Sequence, residues 1–160
     1  MKADGSTPID LDIRPGETAV LAPASTDASL VFIGRIRTPW RERRDCPRRG
    51  DLAGPLCRIE VDEIWRPALA GLKSGGQAQI LYWMHRARRD LVRQAPRSEG
   101  VAIGTFALRS PVRPNPIAVS DVVIEEANED GLLVRGLDCV DGTPLLDIKP
   151  AACPQWREPS

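Results

Sequence analysis

The 160-residue sequence predicts an all-β, mainly antiparallel fold: a small β-barrel of about seven strands with at most short helices, on a non-Rossmann plan. Three observations predict it. From Leu30 onward the apolar residues fall in short runs of β character, the runs are divided by loops rich in proline, glycine and arginine, and no glycine-rich nucleotide turn follows any of them.

Residues 1–29 are polar and punctuated by Pro8, Pro15, Gly16 and Pro23, which reads as an N-terminal arm or an added edge element. The barrel is expected over residues 30–154, and residues 155–160 form a short tail. Its strands are read from "LVFIGRIR", "CRIEVDEIW", "AQILYWMH", "VAIGTFAL", "IAVSDVVIEE", "GLLVRGL" and "PLLDIK", with Ile59 and Val61 alternating against charges in the second. "RPALAGL" predicts one short helix, with Pro67 in its first turn and Gly71 near its end. "DGTP" reads as a tight turn between the last two strands. In "RSPVRPNPIAVS", Pro111, Pro114 and Pro116 push Ser110, Arg113 and Asn115 toward extended conformations, so that Arg109, Arg113 and Asn115 ride on a stiff ridge.

Composition narrows the function. A hydrophobic fraction of 42% and a charged fraction of 28% are ordinary for a water-soluble chain. No run approaches the roughly 20 apolar residues that span a bilayer and no secretory signal opens the chain, so a cytoplasmic location without membrane attachment is expected. Cys46, Cys57, Cys139 and Cys153 contain no C-x-x-C pair, and His85 is the single histidine; free thiols and no bound metal are expected. The absence of G-x-G-x-x-G, P-loop and G-x-S-x-G patterns argues against the usual nucleotide folds and against a serine hydrolase.

Formal net charge is zero, yet Arg35–Arg49 holds seven arginines against Glu42 and Asp45, Arg86–Arg97 holds five against Asp90, and Asp121–Asp141 holds seven acids against Arg135. Segregated basic and acidic surfaces are expected. Guanidinium forks grip phosphate oxygens in pairs, which suits a nucleic acid; the plainer alternative is a set of solvated loop faces.

"RSPVRPNPIAVS" and "GLDCVDGTPLLDIKP" together closely resemble the TsaA-like, or TrmO, family, whose pattern there is R-S-x-x-R-P-N-P-I-G-x-S and L-D-x-x-D-G-T-P-x-x-D-I-K-P. "IGRIRTPWRER", "CPRRGDLAG" and "ILYWMHR" resemble the family's front half more loosely, and the resemblance covers residues 31–154. It implies a β-barrel that binds S-adenosylmethionine as its cofactor outside the Rossmann framework, commonly as a homodimer, and that methylates N6 of threonylcarbamoyladenosine at position 37 of a tRNA. The alternatives are transfer to another RNA or a small molecule, and a non-catalytic binding barrel.

Carried over by position, the resemblance implies cofactor contacts at Arg49, Gly50, Asp51, His85, Arg86, Arg109, Val119, Asp138, Cys139, Val140 and Asp141. Carboxylates suit ribose hydroxyls, and an arginine suits the methionine carboxylate. The proton leaving N6 has Asp141, Asp138 and His85 as candidate acceptors. Arg113, Asn115, Arg41, Arg43, Arg44, Arg88 and Arg89 are the candidates for holding tRNA. Ala118, Ala151 and Arg49–Asp51 depart from the family pattern, which has glycine, an aromatic residue and Q-P-G in those places.

Overall fold

The computed structural model describes residues 13–21, 28–96 and 100–152. Cys153, the tail at 155–160 and most of the arm lie outside the described residues. The chain divides into two compact units, Met1–Ala28 with Met84–Pro116, and Ser29–Trp83 with Ile117–Ser160.

In the first unit, β1 (Thr18–Ala19) pairs with the strand Leu91–Gln94, which in turn pairs with Ile103–Gly104, giving a three-stranded antiparallel sheet. Buried Gln94 ties this unit together, donating to Thr105 Oγ1 at 2.9 Å and to the Val112 carbonyl at 2.7 Å, while Thr105 Oγ1 donates to the Leu91 carbonyl at 2.7 Å. The "VAIGTFAL" run contributes only Ile103–Gly104 and a 3-10 turn over Thr105–Ala107. It was expected as a barrel strand; Gly104 and the turn stop it after two residues.

The second unit is the barrel, and it has six strands. In chain order with the three above, these are β2 (Gly34–Arg37), β3 (Cys57–Val61), β4 (Gln77–Trp83), β7 (Ile117–Asn128), β8 (Gly131–Arg135) and β9 (Thr143–Pro150), β5 and β6 being Leu91–Gln94 and Ile103–Gly104. They close in the order β2-β3-β8-β7-β4-β9, every pairing antiparallel. Alternation decides the faces: Ile36, Ile59, Ile80, Val122, Ile124, Leu132, Val134 and Leu145 are at most 1% exposed and fill the interior, while Arg35, Arg58, Gln79 and Asp121 point outward.

Two local expectations shift. The short helix is a 3-10 segment over Glu63–Leu69, so Pro67 lies inside it rather than at its first turn. Bonds of the i to i+3 kind, Trp65 N–H to the Asp62 carbonyl and Ala70 N–H to the Pro67 carbonyl, tolerate a proline that lacks its own N–H. The "DGTP" turn exists, but β8 and β9 are not partners: β8 lies between β3 and β7, and β9 lies between β2 and β4. Residues 136–142 therefore cross one end of the barrel to carry the chain to β2. That crossing positions the site.

Candidate functional site

Strand ends at Arg37, Cys57, Tyr82, Arg135 and Thr143 gather at the end that residues 136–142 cross, as the registers Arg37 to Arg58, Cys57 to Val134, Ile36 to Thr143 and Tyr82 to Leu145 require. The crossing is stapled to the segment that follows β2. Thr38 donates its N–H to Asp141 Oδ1 at 3.1 Å and its hydroxyl to the Cys139 carbonyl at 2.8 Å. Asp141 N–H donates to the Trp40 carbonyl at 2.6 Å, and Gly142 N–H to the Ile36 carbonyl at 2.8 Å. Gly142 has φ +79°, the conformation that a turn with Val140 at its start and Thr143 at its end asks of its third residue.

A second loop is pressed onto the crossing. A Cβ on Gly50 would lie 1.7 Å from the Gly136 carbonyl oxygen, so the two backbones touch and neither loop tolerates a side chain there. This contact brings Arg49, Gly50 and Asp51 to the same end of the barrel as Asp138, Cys139, Val140 and Asp141. Asp51 turns its own loop, accepting the Ala53 N–H at Oδ1 and the Gly54 N–H at its carbonyl, both at 2.9 Å. Arg49 is exposed.

Asp138 is held from beneath. Tyr82, on the inner face of β4 and 2% exposed, donates its hydroxyl to Asp138 Oδ1 at 2.7 Å, and its oxygen lies 2.7 Å from Ser120 Oγ. Ser120, on the inner face of β7, is 3.4 Å from the same Oδ1. Burial first, and then the Asp138 carboxylate, push the Tyr82 hydroxyl far above the ordinary phenol range, so it remains a donor. Asp138 Oδ2 receives no hydrogen bond from the described residues.

Cys139 and Val140 are 1% and 7% exposed, so both are buried. Burial pushes the Cys139 thiol up to about 12 and the Cys57 thiol up to about 11. Cys46, half-buried in the arginine loop, is also raised, by burial and then by Asp138 and Asp45. Val119 lies on the outer face of β7, opposite Leu81, and is 38% exposed.

His85, Arg86, Arg88, Arg89, Arg109, Arg113 and Asn115 belong to the other unit. His85 and Arg86 are the exposed central residues of a turn closed by Ala87 N–H to the Met84 carbonyl at 2.9 Å. Arg113 folds back on the proline ridge, donating to the Leu108 and Ser110 carbonyls at 3.0 Å each. Arg89 donates to the Pro114 carbonyl at 2.6 Å and reaches Asn115 Oδ1 at 3.4 Å. Arg88, whose side chain is 9% exposed, makes a two-pronged pair with Asp90 at 2.7 and 2.8 Å. Arg109 is exposed.

Charge is segregated less than the sequence suggests. The acids after Asp121 neutralise strand arginines: Glu125 pairs with Arg135 at 2.9 Å, Asp130 with Arg58 at 2.7 Å, and Asp141 sits 3.8 Å from Arg37. The basic surface that stands out on the barrel is the loop with exposed Arg41, Arg43, Arg44, Arg48 and Arg49.

Sequence reasoning missed Tyr82, Ser120 and Thr38. A signal existed for Tyr82: it is the chain's one tyrosine, and alternation with Ala78 and Ile80 turns it inward, where a hydroxyl needs a partner.

The sequence model of the tRNA-methyltransferase O N-terminal domain matches residues 35–153. The chain belongs to the TrmO family. It is 51% identical over 138 residues to a probable S-adenosyl-L-methionine-binding protein, VirR, of Rhizobium radiobacter, covering 86% of this chain and 79% of that one. It is 34% identical over 129 residues to the tRNA (adenine(37)-N6)-methyltransferase of Escherichia coli, covering 74% of this chain and 55% of that one. The crystal structure of TrmO from P. aeruginosa superposes with a TM-score of 0.64 at 33% identity, over 79% of this chain and 56% of the other. The chain thus spans little more than half the length of the Escherichia coli and P. aeruginosa relatives.

Proposed function

We propose that this TrmO-family protein binds S-adenosylmethionine at the barrel end formed by Arg49–Asp51 and Asp138–Asp141, and methylates N6 of adenosine 37 in tRNA, with the threonylcarbamoyl form as its substrate. The observation that carries the cofactor reading is Asp138, a carboxylate on a stapled crossing held at Oδ1 by the Tyr82 hydroxyl, which Ser120 backs, with Oδ2 open to a ligand. An acceptor edge of this kind fits the hydroxyl donors of a nucleoside ribose. The identity to the Escherichia coli enzyme supports the tRNA reading.

When bound, the cofactor supplies an electrophilic methyl group on a sulfonium. The chain's own part is alignment, since holding nucleophile and donor in line supplies most of the acceleration in such a transfer, and no metal is required for it. The Thr38 staples and the Gly50–Gly136 contact fix the loops that do the holding. Asp141 is anchored through Oδ1 to Thr38, and Asp138 through Oδ1 to Tyr82; these two and His85 are the candidates to take the N6 proton. Cys139 and Val140 serve the cofactor through backbone atoms, and Arg86 or Arg109 its carboxylate. Arg41, Arg43, Arg44, Arg88, Arg89, Arg113 and Asn115 serve the tRNA. We also propose a homodimer in the cytoplasm, with residues 30–154 as the functional domain.

A second reading, a cofactor-binding protein that modifies another substrate, is favoured by the 51% identical relative, whose name states binding alone. Incubating the purified protein with tRNA and isotopically labelled cofactor separates the two. Label recovered on the adenosine 37 nucleoside by mass spectrometry is the expected result. Cofactor binding by calorimetry without label in tRNA favours the second reading, and no binding at millimolar ligand defeats both.

A further inference from the structure

Three oxygen-bearing side chains from three separate elements meet inside the barrel: Tyr82 from β4, Ser120 from β7 and Asp138 from the crossing. Their surroundings are apolar. Ala78, Ile80, Val122, Ile124 and Leu145 are each at most 1% exposed on the same inner faces. Phenylalanine and alanine would fill these two positions equally well if packing were the only demand. The hydroxyls have one feature in common, which is reach to a single oxygen of Asp138.

The proton count fixes a direction. Tyr82 has one hydroxyl hydrogen, and Asp138 Oδ1 at 2.7 Å takes it. Ser120 then donates to the Tyr82 oxygen at 2.7 Å, a better fit than its 3.4 Å distance to Asp138. The chain therefore runs Ser120 to Tyr82 to Asp138, each hydroxyl polarised by the next and the last bond charge-assisted. Rotation of the Asp138 side chain is stopped at Oδ1, and its backbone is stopped by the staples at Cys139 and Asp141. Only the Oδ2 edge is left to present.

We propose that Tyr82 and Ser120 are positioning residues of the cofactor site, acting through Asp138 by fixing from inside the barrel which edge of its carboxylate meets the donor groups of the bound nucleoside. The inference rests on the cofactor reading above and adds two buried residues to it. It predicts that Tyr82 matters to binding only as long as Asp138 is a carboxylate.

The experiment is a double-mutant cycle by calorimetry with S-adenosylmethionine on the full chain: wild type, Tyr82→Phe, Ser120→Ala, Asp138→Asn, and each hydroxyl variant combined with Asp138→Asn. Tyr82→Phe keeps the ring and removes the donor, so affinity is expected to fall about ten-fold in the wild-type background and less than about two-fold beside Asp138→Asn. Ser120→Ala, one bond further away, is expected to fall about three-fold with the same dependence on Asp138. Equal losses in both backgrounds, or no loss at all, overturn the inference and make the hydroxyls packing groups. If Tyr82→Phe does not fold, the Ser120→Ala half of the cycle decides by the same criterion. A wild type that binds while Asp138→Asn binds equally well overturns the inference alone; a wild type that does not bind overturns the cofactor reading with it.

Discussion

Asp138 and Cys139 are adjacent in sequence and opposite in setting, one a half-buried carboxylate with an open edge, the other a thiol 1% exposed. Spacing within "LDCVDGTP" marks both aspartates, because a polar turn between apolar runs is visible in one dimension. It does not reveal Tyr82 or Ser120, which sit 38 residues apart and meet only because β4 and β7 pair with Ile80 opposite Ser120. The same burial makes a measurable prediction about thiols. With Cys57 pushed up to about 11 and Cys139 up to about 12, the thiolate fractions at pH 8 are on the order of one in a thousand and one in ten thousand. Half-buried Cys46 should therefore be alkylated by iodoacetamide well before either in the native protein, and urea should level the three. Peptide mass spectrometry of a labelling time course checks this; Cys139 reacting as fast as Cys46 would place its side chain outside the barrel wall.

At the level of elements, six of the seven apolar runs become barrel strands because period-two alternation reports directly on faces. Alternation carries no record of partners. The Asp141–Gly142 turn looks like a hairpin in sequence and is the end of a crossover in space, since β9 pairs with β2 and β4 and not with β8. The two-residue β1 is legible in sequence only as an added edge element without bounds, because side-chain chemistry rather than strand length holds it. Glu17 accepts the Arg14 N–H at Oε2 at 3.0 Å and the Ala95 N–H at Oε1 at 3.2 Å. Burial alone would raise the Glu17 carboxyl, but those two amides, with the Arg14 and Arg88 charges, hold it below the ordinary glutamate range. A folded-state value below the unfolded one means the latch contributes fully above about pH 4.5 and is lost as pH falls through the folded-state value. Hydrogen-exchange protection of the Ala95 and Val20 amides should therefore drop below pH 4.5 in the wild type. In Glu17→Gln it should be reduced already at pH 7 and change little over that window; a flat wild-type profile would remove Glu17 from the latch.

Across the whole molecule, 22 basic and 22 acidic side chains sum to zero, so attraction to a polyanion has to come from where positive charge is locally in excess. On the barrel strands Arg58 is matched by Asp130 and Arg135 by Glu125. Arg41, Arg43 and Arg44 ride instead on an exposed loop whose own acids are Glu42 and Asp45 against five exposed arginines, and the ion pair of Arg44 with Asp45 is stretched to 4.0 Å. Each arginine that neutralises a tRNA phosphate releases a counterion, and the slope of log affinity against log salt changes by about 0.9 for every such contact in duplex nucleic acid. Replacing Arg41, Arg43 and Arg44 together with alanine should then weaken tRNA binding and flatten that slope by about two to three, while cofactor affinity stays within about two-fold. Arg88 makes the contrast. Its guanidinium is largely buried against Asp90, so Arg88→Ala strands a carboxylate and should lower the melting temperature of its unit more than it changes the salt slope. Filter binding across a salt series, run beside thermal melts of both variants, reads the two effects separately; a slope left unchanged by the triple substitution would make the loop a solvated face and move the tRNA contacts elsewhere on the chain.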